Sequence, residues 1–236
     1  MTREVIGDSP ERRVEILCEA DALHATWSRF AAHRDGADLH VHRRHNDLFY
    51  VLEGELTLRL GPDGTSVAAP PGTLALVPPL VVHGYRNASA ADVRFLNVHA
   101  PGAGFAPYLR ALRDGAAHTF DQHPPPADGG RPASDASVGR GEVAEDRDGV
   151  RVTRLADVAE IAVAELAMQP GASAPAAAGE AVYVLEGEPV LATGEHESAL
   201  RDGAWVNVPA GAAAVLRAGA APARVLRLRV PSPGVA

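Results

Sequence analysis

Histidines are the side chains in this sequence best able to bind a metal or move a proton near neutral pH, and they are unevenly placed. Nine of the ten lie at or before His123, and the only later one is His196. Three fall within six residues, at His40, His42 and His45. This distribution indicates that the chemistry is concentrated in the first half of the chain.

The residues that follow this cluster predict β-strands, which decide where the imidazoles point. Residues 47–53 and 55–60, separated by Gly54, are rich in β-branched, aromatic and alternating apolar residues. Side chains at i and i+2 share a face on a strand, whereas on a helix they diverge. We therefore expect His40 and His42 to lie side by side.

Composition and charge exclude several classes of protein. The single cysteine, Cys18, rules out an internal disulfide and a multi-cysteine metal site. All 22 basic residues are arginine, which excludes Schiff-base and P-loop lysines. The net charge of −8 argues against a nucleic-acid partner. No apolar run reaches the ~18 residues of a membrane helix, and no signal peptide is indicated, so we expect a cytoplasmic protein that acts on a small molecule.

An internal repeat organises the sequence. Residues 49–58 reappear as residues 182–191 with seven of ten identical, and residues 72–78 resemble residues 203–209. Two matched blocks in the same order, at nearly the same offset, indicate two homologous halves. Each half consists of short predicted strands between Gly, Pro, Asn and Asp turns, which is typical of an antiparallel sandwich or barrel.

The repeat and the turn-rich segments predict the domain organisation. We expect a first barrel at residues 1–118, a Pro/Gly-rich linker or long loop at 119–149, and a second barrel at 150–236. The only predicted helix of the first half covers residues 105–113, where three apolar side chains share one face.

The histidine cluster resembles the first sequence motif of the cupin superfamily, whose members are small jelly-roll β-barrels. That motif contains His-x-His, then Glu after three or four residues, then Gly after six more. The matching residues are His40, His42, Asp47 and Gly54, so aspartate replaces the glutamate of the family.

The second cupin motif, Gly-x5-Pro-x-Gly-x2-His-x3-Asn, is matched by Gly72, Pro78, His83 and Asn87, with Leu80 in place of the second glycine. Together with the repeat, the resemblance covers most of the chain. It implies a bicupin, an all-β protein with two jelly-roll barrels in one chain, most similar to the quercetinase-like members.

The resemblance also implies that His40, His42, Asp47 and His83 hold one divalent transition metal ion. Three imidazoles and one carboxylate suit Fe, Mn, Ni, Co, Cu or Zn, and do not suit calcium. The carboxylate of aspartate reaches about 1.2–1.5 Å less far than that of glutamate. Asp47 is therefore either a direct ligand or an outer group that hydrogen-bonds a ligand histidine or a metal-bound water.

Residues close to the motifs are expected to shape the pocket. Phe49 and Val51 share strand parity with Asp47 and should give the site an apolar wall. His99 lies at the end of a predicted strand, where it either lines the mouth of the barrel or caps a turn. His45 has the opposite parity to His42 and is expected at the surface or rim.

The second half lacks the metal-binding residues. Aligned on Gly187, Glu180 takes the place of Asp47, and His83 aligns with Ala214. The places of His40 and His42 can be aligned with either of two loop lengths. One length puts Ser173 and Pro175 there and the other puts Ala174 and Ala176 there, so neither supplies an imidazole. We expect this barrel to bind no metal and to serve as a scaffold, a partner surface or an apolar pocket.

The resemblance to quercetinase-like proteins implies a metal-dependent dioxygenase. Its substrates would be dioxygen and a small enolic or phenolic molecule, flavonol-like or another natural product, with Asp47 as the general base. Two alternatives stay open: an isomerase, decarboxylase or lyase that uses the ion as a Lewis acid without oxygen, and a non-catalytic small-molecule binder. The expected assembly is a monomer or a homodimer.

Overall fold

The computed structural model describes residues 3–194, 196–209, 211 and 213–230. The chain divides into two compact units, Met1–Arg140 and Gly141–Ala236. Both units are built from antiparallel sheets, which confirms the predicted all-β fold of two jelly-roll barrels.

The first unit holds ten strands in two sheets. They are β1 (Glu4–Asp8), β2 (Arg12–Glu19), β3 (His24–Phe30), β4 (Asn46–Glu53), β5 (Leu56–Leu60), β6 (Thr65–Ala69), β7 (Leu74–Val77), β8 (His83–Arg86), β9 (Val93–Ala100) and β10 (Ser137–Gly139). The larger sheet runs β1-β2-β3-β9-β4-β7-β10, and the smaller runs β6-β5-β8. Alternating apolar residues of β4, β5 and β9, among them Val51, Leu58 and Phe95, form the core.

An α-helix, α1 (Phe105–Asp114), follows β9 and agrees closely with the predicted helix at residues 105–113. Gly115 ends it in the left-handed conformation, with φ of 67°, and donates its N–H to the carbonyls of Ala111 and Leu112. The Arg110 guanidinium fixes the helix to the sheet through Glu4 and Glu19, at 2.7 and 2.6 Å. No helix in the described part of the chain has both the length and the apolar composition that a membrane span requires.

Residues 119–149, predicted as a linker, are instead divided between the two units. His123 forms a β-bridge with Val41, and β10 pairs with β7. The later residues form β11 (Glu142–Arg147), the first strand of the second unit. The Pro/Gly-rich composition indicated irregular backbone, but an irregular segment still pairs its peptide groups with a sheet when it crosses one.

The second unit repeats the pattern of the first. Its further strands are β12 (Val150–Asp157), β13 (Ala162–Met168), β14 (Ser173–Ala176), β15 (Ala181–Glu186), β16 (Val190–Thr193), β17 (His196–Ala199), β18 (Trp205–Asn207), β19 (Ala214–Arg217) and β20 (Ala223–Arg229). The order β13-β20-β15-β18 in its larger sheet corresponds to β3-β9-β4-β7 in the first unit. Its core is aliphatic, with Val184, Leu216 and Val225 fully buried.

Candidate metal centre

The first barrel brings its four predicted ligands together in its interior. His40 and His83 form a short antiparallel bridge, His42 follows two residues later, and Asp47 lies at the start of β4. All four side chains are buried, and one ligand atom from each lies within 4.8 Å of the others. Three separate parts of the sequence thus meet at one point: the His-x-His segment, the start of β4 and the bridge residue His83.

Hydrogen bonds fix the protonation of each imidazole. A main-chain carbonyl can only accept a hydrogen bond, so a ring nitrogen that contacts one carries the proton and leaves the other nitrogen with a lone pair. The three rings each donate from Nδ1 to a carbonyl: His40 to Asp38 at 2.7 Å, His42 to Asp121 at 2.5 Å, and His83 to Val81 at 2.9 Å. Every Nε2 is therefore free to bind a metal.

The three Nε2 atoms point at one another and at the carboxylate. Nε2 of His40 and Nε2 of His42 are 3.3 Å apart, and Nε2 of His83 is 3.2 Å from Oδ2 of Asp47. Burial, with the neighbouring His83 and His42, lowers the pKa of His40 to about 3, so this ring is neutral at physiological pH. A cation between these two lone pairs would stabilise them, and the donor set of three nitrogens and one oxygen fits a divalent transition metal.

The Asp47 carboxylate is held from two sides. Its Oδ1 accepts a hydrogen bond from the Asn97 amide at 2.5 Å, while Oδ2 faces the imidazoles of His83 and His42. Burial alone would raise the pKa of Asp47, but the neighbouring imidazoles of His99, His42 and His83 outweigh it and keep the pKa well below its usual value. The carboxylate is therefore ionised, with Oδ2 among the ligand nitrogens.

Asp121, in the segment predicted as a linker, organises the loop after His42. Its buried carboxylate accepts hydrogen bonds from the backbone N–H groups of Arg43 and Arg44, at 3.1 and 2.8 Å. It also accepts from Nδ1 of His45 at 3.1 Å and Nε2 of His123 at 3.0 Å. Sequence reasoning missed this residue, because no spacing rule links positions that lie 79 residues apart.

His45 is buried, contrary to the prediction of a surface position. Residues 43–45 form a bend and not a strand, so the parity argument does not apply to them. The ring of His45 stacks on His42 at 4.1 Å between centroids, and its Nε2 has no hydrogen-bond partner. Burial and His42 lower the pKa of His45 to about 4. His42, His45 and His99 form a second group of ligand atoms within 4.8 Å.

His99 lies within β9 and lines the cavity, so the alternative of a turn-capping histidine is wrong. Its Nε2–H donates to Oδ1 of Asn97 at 3.1 Å, which continues the chain of hydrogen bonds to Asp47. Its Nδ1 is a buried lone pair without a partner. Asn97 and His99 belong together because side chains two apart on a strand share a face.

A cavity of about 210 Å³ opens beside the four predicted ligands. The prediction that Phe49 and Val51 form its apolar wall is wrong, since both are fully buried in the core of the barrel. The wall comes instead from aromatic side chains of the strands, of α1 and of the following segment: Phe30, Tyr85, Phe105, Tyr108 and Phe120. Phe49 and Val51 lie in the interior of the barrel, but side chains of α1 and of the segment after it line the cavity instead.

In the second unit an ion pair occupies the position of the carboxylate. The buried Glu180 accepts from the Arg227 guanidinium at 2.5 and 2.6 Å and from the backbone N–H of Ala177 at 3.0 Å. Both carboxylate oxygens thus have protein partners. Glu180 contributes to the stability of this barrel and is unavailable to a metal.

The register of the second unit places alanines where the first unit has histidines. Ala176 pairs with Ala214, as His40 pairs with His83 in the first barrel. Among residues 141–230 that the structure describes, no group of ligand atoms of the kind found in the first barrel occurs. The candidate metal centre therefore lies in the first unit.

Comparison with known proteins agrees with this assignment. Residues 26–99 match the sequence model of the cupin domain. Quercetin 2,3-dioxygenase from Bacillus subtilis (strain 168) is 32% identical over 112 residues, which cover 48% of this chain and 32% of that enzyme. The match thus spans about a third of the length of this relative.

Solved structures resemble the chain over a greater length. AerE from Microcystis aeruginosa superposes with a TM-score of 0.68 at 13% identity, covering 98% of this chain and 97% of that one. A variant of salicylate 1,2-dioxygenase from Pseudoaminobacter salicylatoxidans superposes with a TM-score of 0.60 at 15% identity, covering 88% and 71%. At such identities the likeness shows the fold alone.

Proposed function

Since residues 26–99 of this chain are a cupin domain, we propose that the protein is a metal-dependent dioxygenase acting on a small enolic or phenolic substrate. One observation carries the proposal: three imidazoles, each fixed by its Nδ1–H, direct Nε2 at a common point beside the Asp47 carboxylate. The similarity of half the chain to a quercetin 2,3-dioxygenase supports the choice of reaction.

The residues that would hold the ion are His40, His42 and His83 through Nε2, and Asp47 through Oδ2. A divalent transition metal supplies Lewis acidity toward an oxygen of the substrate. The buried position of all four side chains keeps bulk water away from this point, which strengthens electrostatic interactions there.

Three polar side chains, Asp47, Asn97 and His99, form a chain of hydrogen bonds that leads to the substrate hydroxyl. Asp47 accepts the hydroxyl proton at Oδ2, because Asn97 already occupies Oδ1, and the three imidazoles would then hold the ion. Asn97 in turn is oriented by the Nε2–H of His99, so the carboxylate cannot rotate freely.

Metal analysis of the full-length protein, purified without a metal-affinity tag, tests the site. We expect about one transition-metal ion per chain, and its loss in His40→Ala and in His83→Ala. Glu180→Gln, at the equivalent place in the second barrel, is the matched control and should keep the metal. Two ions per chain, or a metal that survives both histidine changes, would overturn the proposed centre.

Oxygen consumption tests the reaction. Metal-loaded protein should consume dioxygen in the presence of a suitable member of a panel of hydroxylated benzoates, catechols and flavonols, and should be inactive toward it without oxygen. His40→Ala should abolish this uptake. Turnover of the same compound under anaerobic conditions would contradict a dioxygenase and favour a lyase or isomerase.

A further inference from the structure

Arg12 differs from Arg13, the other arginine of its strand. It begins β2 at an exposed position on the rim of the cavity beside the candidate metal centre, and its guanidinium has no ion-pair or hydrogen-bond partner among the described residues. The neighbouring Arg13, on the opposite face of the strand, is paired with Glu15 at 2.8 Å and with Asp8 at 2.5 Å. A guanidinium left unpaired at a cavity wall is available to a ligand.

The charges around the cavity favour an anion. Of all the residues that line it, Asp47 is the only carboxylate. A smaller cavity of about 120 Å³, which shares much of this lining, has Arg12 and Arg113 on its wall and no acidic residue. Arg113 is paired with Glu4 and Asp114, so the unpaired positive charge at this wall is that of Arg12.

Tyr85 adds a neutral donor to the same end of the cavity. Its side chain lines both cavities, and its hydroxyl has no hydrogen-bond partner among the described residues. Burial and the charge of Asp47 raise the pKa of Tyr85, whereas Arg12 acts in the opposite direction, so the guanidinium lies within electrostatic range of the ring. The phenol therefore keeps its proton and can donate it in a hydrogen bond.

The size and surface of the cavity limit what can bind. Its volume of about 210 Å³ lies below the ~300–1,000 Å³ of pockets that take drug-sized ligands. Phe30 and Phe105, on its walls, provide ring faces for an aromatic or other planar molecule. A polycyclic substrate is therefore disfavoured relative to one with a single ring.

We infer that Arg12 and Tyr85 form an anion-binding end of this cavity, and that the substrate is a small single-ring aromatic carboxylate. The inference rests on the proposed function for the other end of the cavity, because it places the hydroxyl of the substrate at Asp47. Arginine suits this role because its planar guanidinium can bind both oxygens of a carboxylate at once.

Binding of benzoate to the full-length, metal-loaded protein, measured by isothermal titration calorimetry, tests the inference. Benzamide has the same ring and no charge, and it serves as the matched ligand. Arg12→Gln should weaken benzoate binding by roughly 10–100-fold, the range expected for a charged hydrogen bond, and should leave benzamide binding unchanged. Arg13→Gln, on the other face of the strand, should bind both compounds as the wild type does.

Three results would overturn the inference: no benzoate binding to the wild type, an affinity that Arg12→Gln does not alter, or an equal loss for benzoate and benzamide. Each is separable from the proposed function. If metal content and oxygen uptake are normal but benzoate binding ignores Arg12, only the anion site fails. If the protein binds benzoate through Arg12 but holds no metal, the proposed function fails and the anion site stands.

Discussion

A single aspartate marks the departure of this site from the cupin motif. Shortening the side chain by one methylene could have withdrawn the carboxylate from the metal. The structure instead holds it with Asn97 at Oδ1 and directs Oδ2 toward His83 and His42. The position of Asp47 at the start of β4 and its hydrogen bond from the Asn97 amide compensate for the shorter side chain.

Asp47→Asn preserves the shape of the side chain but removes its charge. We expect turnover to fall by the ~10²–10⁴-fold typical of losing a general base, with metal partly retained because three imidazoles remain. Steady-state oxygen uptake and metal analysis on the same preparation measure both effects. A variant with normal turnover and normal metal content would show that the carboxylate has no role.

Asp121→Asn should weaken metal binding although Asp121 is not itself a ligand. The change removes a buried charge that accepts four hydrogen bonds around the loop after His42. Loss of such outer partners typically costs ~10–100-fold in metal affinity. Competition with a chromophoric chelator measures it, and Asp63→Asn, at an exposed position, is the control. Equal affinities in both variants would contradict this role.

At the scale of strands and segments, the sequence was informative wherever the backbone is regular. The repeated blocks correspond to β4 and β15, which occupy equivalent places in their sheets. His40 and His42 lie side by side, although the segment forms only isolated bridges and not the predicted strand. The strand prediction failed at residues 43–45, where a bend replaces the strand. The prediction also failed at residues 119–123, because the composition of a Pro-rich segment does not reveal the distant part of the chain with which it pairs.

The ion pair joins Glu180, just before β15, to Arg227 on β20. We expect its loss to destabilise the second barrel and to leave metal binding unchanged. Glu180→Gln should lower the stability of the second unit by about 2–3 kcal/mol. This is less than the ~3–5 kcal/mol for breaking a fully buried pair, since the Arg227 side chain is 20% exposed. Urea denaturation of a Trp27→Phe background, in which Trp205 is the remaining tryptophan, reports on this unit. Unchanged stability would mean that the pair contributes nothing.

The two units differ as wholes in their response to acid. Burial lowers the pKa values of His24 and His45, both in the first unit, to about 4. The unfolded chain takes up these protons near the ordinary pKa of about 6.5, so stability is lost as the pH falls from about 6.5 to 4. The loss is about 1.4 kcal/mol per pH unit for each histidine. His196, the histidine of the second unit, is exposed.

We therefore expect the metal-free first unit to unfold at a higher pH than the second. Tryptophan fluorescence of chelator-treated protein measures this when each unit has its own reporter: Trp27 in a Trp205→Phe variant, and Trp205 in a Trp27→Phe variant. Adding the metal should shift the Trp27 transition to lower pH and leave the Trp205 transition in place. Coincident transitions in the two variants would contradict the expectation.

The position of Asp121 has a consequence for the order in which the protein is made. Strands β1–β9 and all four proposed ligands are synthesised before residue 121 is added. Until then His42 lacks the carbonyl that fixes its Nδ1–H, and the loop after it lacks its anchor. A nascent chain that ends at residue 118 would therefore present the ligands without organising them. We therefore expect high-affinity metal uptake only after the segment that contains Asp121 has been synthesised and His123 has bridged Val41.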